Sequence, residues 1–136
     1  MTDPELMRAA EAARKNAYAP YSGFRVGAAL LSKSGRVFTG CNIENAAYSP
    51  TNCAERTAFF KAVSEGERGF SAIAIAGGSG EDADAICAPC GVCRQVMAEF
   101  CDAEFRVILG TSAHLQPTTL GALLPLAFSM SEDEEK

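Results

Sequence analysis

Three cysteines with a metal-ligand pattern stand far apart in this chain, and any fold must bring them together. Cys53 opens the segment Cys53-Ala54-Glu55, and Cys90 and Cys93 form a Cys-x-x-Cys pair that follows Pro89. Because Cys53 and Cys90 are 37 positions apart, only tertiary folding can assemble a common site. Three thiolates with an unliganded carboxylate nearby are typical of a catalytic zinc site, where the fourth tetrahedral position stays open to water. The pattern therefore favours an enzyme.

The composition predicts one globular domain and limits its partners. A chain of 136 residues supports one buried core and is too short for two, so we expect a single domain over residues 1–136. Hydrophobic residues make up 48% and charged residues 21%, as in ordinary globular proteins. A net charge of −5 argues against nucleic acid, because Lys and Arg supply most of the affinity for a phosphate backbone. We expect a small, weakly charged ligand.

The sequence predicts neither a membrane span nor export. No run approaches the roughly 18 apolar residues of a membrane helix. Asp3 and Glu5 stand where a signal peptide would be basic, so we expect a cytoplasmic protein with no membrane partner. In a reducing compartment, six cysteines indicate metal binding or catalysis rather than disulfides. An acidic tail from about Ser131 is expected to be solvated.

Helical and strand-like segments alternate along the chain. We predict an α/β fold, a three-layer α/β/α sandwich with one mixed sheet of about five strands. The predicted helices are a first one from Thr2 that ends before Pro20, then 53–64, 91–101, and a short one from Thr118 or Thr119 through Leu124. The predicted strands are 25–31 and 36–40, which form an antiparallel hairpin, 70–76 and 106–109. A glycine-rich acidic loop covers 77–88.

The predicted position of the cysteines at helix starts favours their thiolate forms, because exposed N–H groups and the helix dipole lower a thiol pKa there. Three thiolates around Zn²⁺ leave a net negative charge, which opposes the deprotonation of water. Arg56 is the candidate cation, and its guanidinium would donate to a cysteine sulfur. Residues two apart on a helix point about 200° away from each other, so Cys53 and Glu55 share a site only if Cys53 lies at the cap.

Two motifs and four further segments resemble the small homotetrameric cytidine deaminases, over roughly residues 5–130. The motifs are Cys53-Ala54-Glu55-Arg56 and Pro89-Cys90-Gly91-Val92-Cys93-Arg94-Gln95. The segments are Tyr18-Ala19-Pro20-Tyr21-Ser22, 24–30, 40–49 and Leu123-Leu124-Pro125. The resemblance implies a homotetramer with shared active sites. It also implies zinc-dependent deamination of cytidine and 2′-deoxycytidine to uridine and 2′-deoxyuridine plus ammonia, in pyrimidine salvage.

The resemblance also implies how the metal and the acid act. Cys53, Cys90 and Cys93 would hold one Zn²⁺ per chain. Glu55 would take a proton from the attacking water, hydroxide would add to C4 of the cytosine ring, and Glu55 would deliver protons to N3 and the departing ammonia. Arg56 and Gln95 would support the ligands. No metal role is implied for the other cysteines or for the single histidine, which is expected at the surface: Cys41, Cys87, Cys101 and His114.

The resemblance further implies the residues that bind the nucleoside. Asn42 and Glu44 correspond to a ribose-binding pair, and residues two apart on an extended segment project to one face. An amide and a carboxylate there can donate to and accept from sugar hydroxyls. Phe24 would pack on the pyrimidine and Ala54 would contact the substrate. Phe128 would reach the active site of a neighbouring subunit.

Other interpretations remain open at this point. A deaminase of an aminated nucleoside antibiotic, of the blasticidin type, would share the cysteine motifs, although Asn42 with Glu44 favours an ordinary ribose. A polynucleotide-editing deaminase would need a basic channel, which the acidic balance disfavours. A structural zinc module requires four protein ligands, and a Cys-x-x-Cys redox protein requires neither Cys53 nor Glu55.

Overall fold

The computed structural model describes residues 1–130; the predicted acidic tail, residues 131–136, lies outside the described part. One sheet contains five strands: β1 Arg25–Ser32, β2 Val37–Cys41, β3 Phe70–Gly78, β4 Arg106–Gly110 and β5 Leu115–Thr119. Their order across the sheet is β2-β1-β3-β4-β5. The β3–β4 pair is parallel and the other neighbours are antiparallel, so the sheet is mixed, as predicted, and the β1–β2 hairpin is confirmed.

Helices cover both faces of this sheet and produce the predicted three layers. They are α1 Asp3–Arg14, α2 Ala54–Ser64, α3 Gly91–Phe100 and α4 Leu120–Leu123. On one face, α1 buries Leu6 and Met7 in a core cluster with small side chains of the sheet. On the other face, α2 and α3 bury Phe59 and Met97 in a second cluster with Ile75. None of these described helices has both the length and the apolarity needed to cross a bilayer.

The first helix begins as predicted and, also as predicted, ends before Pro20. Thr2 and Glu5 form the capping box, and the helix stops at Arg14, well before Pro20. The chain then becomes extended, because the Tyr18 amide donates to the carbonyl of Asn42 over 2.9 Å. Arg14 is buried, and its guanidinium donates to four carbonyl oxygens, those of Arg25, Gly78, Gly80 and Glu81. This arginine ties the end of α1 to the loop that follows β3.

The fifth strand had no clear sequence signal. β5 pairs with β4 alone and contains Pro117. A proline has no N–H to donate, and an edge strand tolerates it because one side of that strand has no partner to bond. Its side chains are either exposed or half-buried and give no apolar alternation. Thr119 ends β5 and is the N-cap of α4, where its hydroxyl accepts from the Ala122 amide. The predicted last helix is therefore present, but it is only four residues long and ends at Leu123.

Candidate active site

The two predicted metal-binding helices begin next to each other. Cys53 is the N-cap of α2 and Cys90 is the N-cap of α3, while Cys93 lies in the first turn of α3. Neither cap residue makes a side-chain capping hydrogen bond. The Sγ atoms of Cys53 and Cys90 are 3.8 Å apart, and those of Cys90 and Cys93 are 3.5 Å apart. Three sulfur atoms from distant parts of the chain thus form one compact cluster.

The spacing of these sulfurs fits a zinc ion. Tetrahedral Zn²⁺ with Zn–S bonds of about 2.3 Å separates its sulfur ligands by about 3.8 Å, close to both measured distances. All three sulfurs lie within 4.8 Å of one another. Within residues 1–130, no other group of three histidine, cysteine or acidic side chains lies close enough to hold one ion. The donor set and its geometry both suit zinc.

The cysteine sulfurs are electrostatically linked. A hydrogen bond from the Cys93 thiol is the main cause that lowers the pKa of Cys53 to about 5, and Arg56 lowers it further. The same hydrogen bond, together with burial, raises the pKa of Cys93. The cluster therefore favours a thiolate at Cys53 beside a neutral thiol at Cys93. A bound divalent cation favours the thiolate form of every ligand and would replace the proton of that thiol.

Glu55 is buried beside the cysteines, with 4% of its surface exposed. Burial is the main cause that raises its pKa to about 7. The angular difficulty noted from the sequence does not arise, because Cys53 is the cap and lies outside the regular helix. A carboxyl group with a pKa near neutrality can both accept and donate a proton at that pH.

Arg56 contacts the cysteine cluster directly. Its Nη2 donates to Cys53 Sγ over 3.2 Å, and this contact is the main cause that raises the pKa of the guanidinium. Its Nε is buried and has no hydrogen-bond partner among the described residues. The positive charge therefore stands beside a sulfur that carries negative charge in the thiolate form.

The cluster borders a cavity of about 350 Å³, which Cys53 and Cys90 line. Five of the predicted catalytic and substrate residues also line the cavity: Phe24, Asn42, Glu44, Ala54 and Glu55. The sequence did not predict the remaining lining residues, Ser22, Val26, Thr51, Cys87 and Ala88. A larger cavity of about 510 Å³ lies along α1, near Glu11 and Lys15, but contains none of the predicted site residues. We assign the chemistry to the smaller cavity because two of the three predicted metal ligands, Cys53 and Cys90, line it.

Backbone contacts fix the two predicted ribose residues. Asn42 Oδ1 accepts from the Val26 amide over 2.9 Å, and its Nδ2 donates to the Phe24 carbonyl over 2.8 Å. Glu44 accepts from the Ser22 hydroxyl and from the amides of Tyr21 and Ser22. These bonds, the hydroxyl first, lower the pKa of Glu44. An amide nitrogen has a second N–H and a carboxylate has further lone pairs, so both side chains keep capacity for a ligand.

Two predicted site residues lie elsewhere. Phe128 is not among the residues that line this cavity, and 68% of its surface is exposed. Gln95 Nε2 donates to the carbonyl of Phe128 over 3.0 Å. The side chain of Gln95 therefore reaches the end of the described chain, although its residue follows a cysteine ligand by only two positions.

The remaining cysteines and the histidine stay outside the sulfur cluster. Cys87 lines the cavity, and burial raises its pKa to about 11, which keeps its thiol neutral. Cys41 and Cys101 do not join the cluster. His114 is exposed, as expected. The position of Cys87 depends on the fold of the loop after β3, which the sequence pattern alone does not reveal.

Comparison with known proteins gives consistent matches. Residues 1–109 match the family model described as the cytidine and deoxycytidylate deaminase zinc-binding region. The chain is 51% identical over 129 residues to the cytidine deaminase of Sporosarcina psychrophila, covering 94% of this chain and 92% of that protein. A crystal structure of cytidine deaminase from Burkholderia pseudomallei superposes with a TM-score of 0.85 at 49% identity, covering 94% of this chain and 100% of the other. Blasticidin-S deaminase of Bacillus cereus is 32% identical over 108 residues, 76% of each chain.

Proposed function

This chain belongs to the cytidine and deoxycytidylate deaminase family, and we propose that it catalyses the hydrolytic deamination of cytidine and 2′-deoxycytidine. The products are uridine or 2′-deoxyuridine and ammonia, a reaction of pyrimidine salvage. The observation that carries this proposal is the cluster of three cysteine sulfurs beside the buried Glu55, on the border of a cavity.

Cys53, Cys90 and Cys93 hold one Zn²⁺ per chain in this proposal. When bound, zinc supplies a Lewis acid that makes water nucleophilic at neutral pH. The contact of Arg56 with Cys53 supports a role for its guanidinium in offsetting the negative charge of three thiolates. Without that cation, the excess negative charge would resist further loss of a proton from water.

Glu55 is the proposed proton carrier. It accepts a proton from the attacking water and passes it to N3 of the ring as the C4–O bond forms. It then takes the proton of the new C4 hydroxyl and passes it to the amino group as the C4–N bond breaks and the C4 carbonyl forms. Its raised pKa, about 7, supports this role because one carboxyl group must act in turn as base and as acid. Water and cytidine are consumed, and uridine and ammonia are formed.

The cavity walls support the proposed binding of a nucleoside. Asn42 and Glu44 bind ribose hydroxyls, while Phe24 and Ala54 pack against the pyrimidine. Among residues 1–130, the lining contains Glu44 and no lysine or arginine, so this part of the chain offers no countercharge there to a 5′-phosphate. We therefore propose the free nucleoside rather than a nucleotide or a polynucleotide as substrate.

We also propose that the chain is one deaminase domain that works as a homotetramer with shared active sites. Three large apolar side chains on one short stretch support this assembly, because all of them are largely or fully exposed: Leu126, Phe128 and Met130. Exposed apolar side chains of this kind mark interaction sites. We propose the cytoplasm as the compartment, since all six cysteines are free and three must remain reduced to bind metal.

The test is the loss of ultraviolet absorbance of the amine form, measured with purified protein and with zinc quantified on the same sample. Cytidine, 2′-deoxycytidine, cytidine 5′-monophosphate, blasticidin S and a short cytosine-containing single strand are compared in parallel. We expect turnover of the two free nucleosides and about one zinc per chain. Turnover of blasticidin S alone would replace our proposal with the antibiotic deaminase, and zinc without any turnover would favour a structural site.

A further inference from the structure

The helix that carries two of the cysteine ligands also holds the end of the described chain. Arg94 and Gln95 directly follow Cys93 on α3. Their side chains bond to carbonyl groups of residues 123–130, which we call the C-terminal segment. Two adjacent residues of α3 thus connect the sulfur cluster to a part of the chain that contains no metal ligand.

Arg94 makes the more informative of these contacts. Its Nε donates to the carbonyl of Pro89 over 2.7 Å, and its Nη1 donates to the carbonyl of Leu123 over 2.6 Å. Both hydrogen bonds are charge-assisted, so they are stronger than hydrogen bonds between neutral groups. One half-buried guanidinium therefore bridges two backbone positions that are far apart in sequence.

The Pro89 carbonyl belongs to the peptide unit that enters Cys90. A peptide unit is planar, so the bond from Arg94 fixes both the direction of this carbonyl and the plane of the Cys90 amide. Pro89 is itself fully buried, which removes other freedom at this position. Groups that orient a ligand in this way commonly contribute to metal affinity without touching the metal.

We propose that Arg94 is a positioning residue that couples the Pro89–Cys90 turn to the C-terminal segment. This inference rests on the proposed function, because it takes zinc to bind at the three cysteines. Such a coupling is reciprocal. If order in the C-terminal segment raises zinc affinity, bound zinc must favour the ordered segment by the same free energy. The segment carries Phe128, so metal loading and the placement of this aromatic residue are linked through the Arg94 guanidinium, beside the direct bond from Gln95 to the Phe128 carbonyl.

A purely structural role for Arg94 predicts different results. Its removal would then lower the stability of the fold but leave the zinc affinity of the folded protein unchanged. Arg68 provides a matched control, because it also donates to two carbonyl oxygens, those of Val63 and Glu67, each over 2.8 Å. Arg68 lies after α2 and outside the lining of the cavity.

The first experiment measures zinc affinity by competition with a chromophoric chelator. We expect Arg94→Ala to bind zinc about tenfold more weakly than the wild type, as for other groups that orient ligands. Arg68→Ala should stay within about twofold, the scatter expected for a surface change. Arg94→Lys keeps the charge but lacks the planar fork, so its affinity should fall between those of the wild type and Arg94→Ala. The lysine variant also serves if the alanine variant does not fold.

The second experiment measures amide hydrogen exchange in residues 124–128 with and without zinc. Zinc should slow this exchange in the wild type and in Arg68→Ala, and the slowing should be smaller in Arg94→Ala, where only Gln95 still joins α3 to the segment. Wild-type zinc affinity in both Arg94 variants, or zinc-dependent protection as large in them as in the wild type, would overturn the coupling while leaving the deaminase proposal intact. A wild type that binds no zinc would overturn both.

Discussion

The guanidinium of Arg56 and the sulfur of Cys53 lie 3.2 Å apart at the start of α2. The contact follows from their spacing, since residues three apart on a helix share a face and Cys53 is the cap. The residue that is proposed to bind zinc and the residue that is proposed to offset its charge are thus fixed by the same turn of helix.

Removal of this cation should move the pH dependence of the reaction. In Arg56→Ala the thiolate charge is no longer offset, so loss of a proton from water becomes harder and the acidic limb of activity should shift to higher pH. The measurement is kcat/KM for cytidine across pH 5 to 10, with the zinc content of each sample determined. A profile that drops in height without moving along the pH axis would remove charge compensation from the role of Arg56.

Removal of the proposed proton carrier should abolish turnover without releasing the metal. We expect Glu55→Gln to keep its fold and about one zinc per chain, because the amide has the same shape and Glu55 is not a proposed ligand. Its kcat should fall by about 100-fold to 10,000-fold, the range expected when a general acid–base group is lost. Steady-state kinetics and zinc analysis on one preparation test both statements, and substantial residual activity would exclude Glu55 from the mechanism.

The same substitution should change how stability depends on pH in protein stripped of zinc. Glu55 has a pKa of about 7 when folded against a usual value of 4.5, so the folded state retains a proton that the unfolded chain releases between these values. The free energy of unfolding therefore falls as the pH rises through that window, and Glu55 lowers it by up to about 3 kcal/mol.

Denaturant unfolding at pH 5 and pH 8 measures this effect. Glu55→Gln should gain stability relative to the wild type at the higher pH by about 2 to 3 kcal/mol more than at the lower pH. The comparison of two variants cancels the titration of the cysteines that both share. An equal difference at the two pH values would mean that the carboxyl group is not held in an environment that favours its neutral form.

A subunit-mixing experiment tests whether Phe128 serves a neighbour. Glu55→Gln and Phe128→Ala chains should each have low activity alone. After co-refolding in equal amounts, about one site in four should combine an intact Glu55 with an intact Phe128 from the adjacent chain, and activity should rise accordingly. Activity equal to the mean of the two parents would show that Phe128 acts on its own chain or not at all.

The sequence predicted most elements because their signals are local. The Thr2 capping box, the buried β1–β2 hairpin and the two helices that begin at cysteines are all readable within about ten residues. The Arg56 contact was also predictable, since it depends only on spacing within one helix. The sequence did not determine whether Cys53 is the cap of α2 or its first helical residue. This difference of one position decides whether the sulfur of Cys53 and the carboxyl group of Glu55 share a site.

Other features depend on tertiary contacts that no local pattern contains. Arg14 is buried because its four carbonyl acceptors come from segments between 11 and 67 positions away. The strand β5 depends on its pairing with β4. Its own sequence lacks apolar alternation and contains a proline. Cys87 lines the cavity because the loop after β3 folds back, where the Ala85 amide donates to the carbonyl of Gly77.

Both helix caps in the cavity are occupied by residues that do not cap. Serine, threonine, aspartate or asparagine at such a position would each stabilise its helix by about 1 kcal/mol relative to a residue without a capping bond. Cys53 and Cys90 forgo that stabilisation. In zinc-free protein, a selection for thermal robustness alone would therefore favour replacement of the very side chains that are proposed to bind metal. Libraries of this protein screened without zinc, and only for solubility or heat resistance, should accumulate well-folded, inactive chains, so activity has to be part of any such screen.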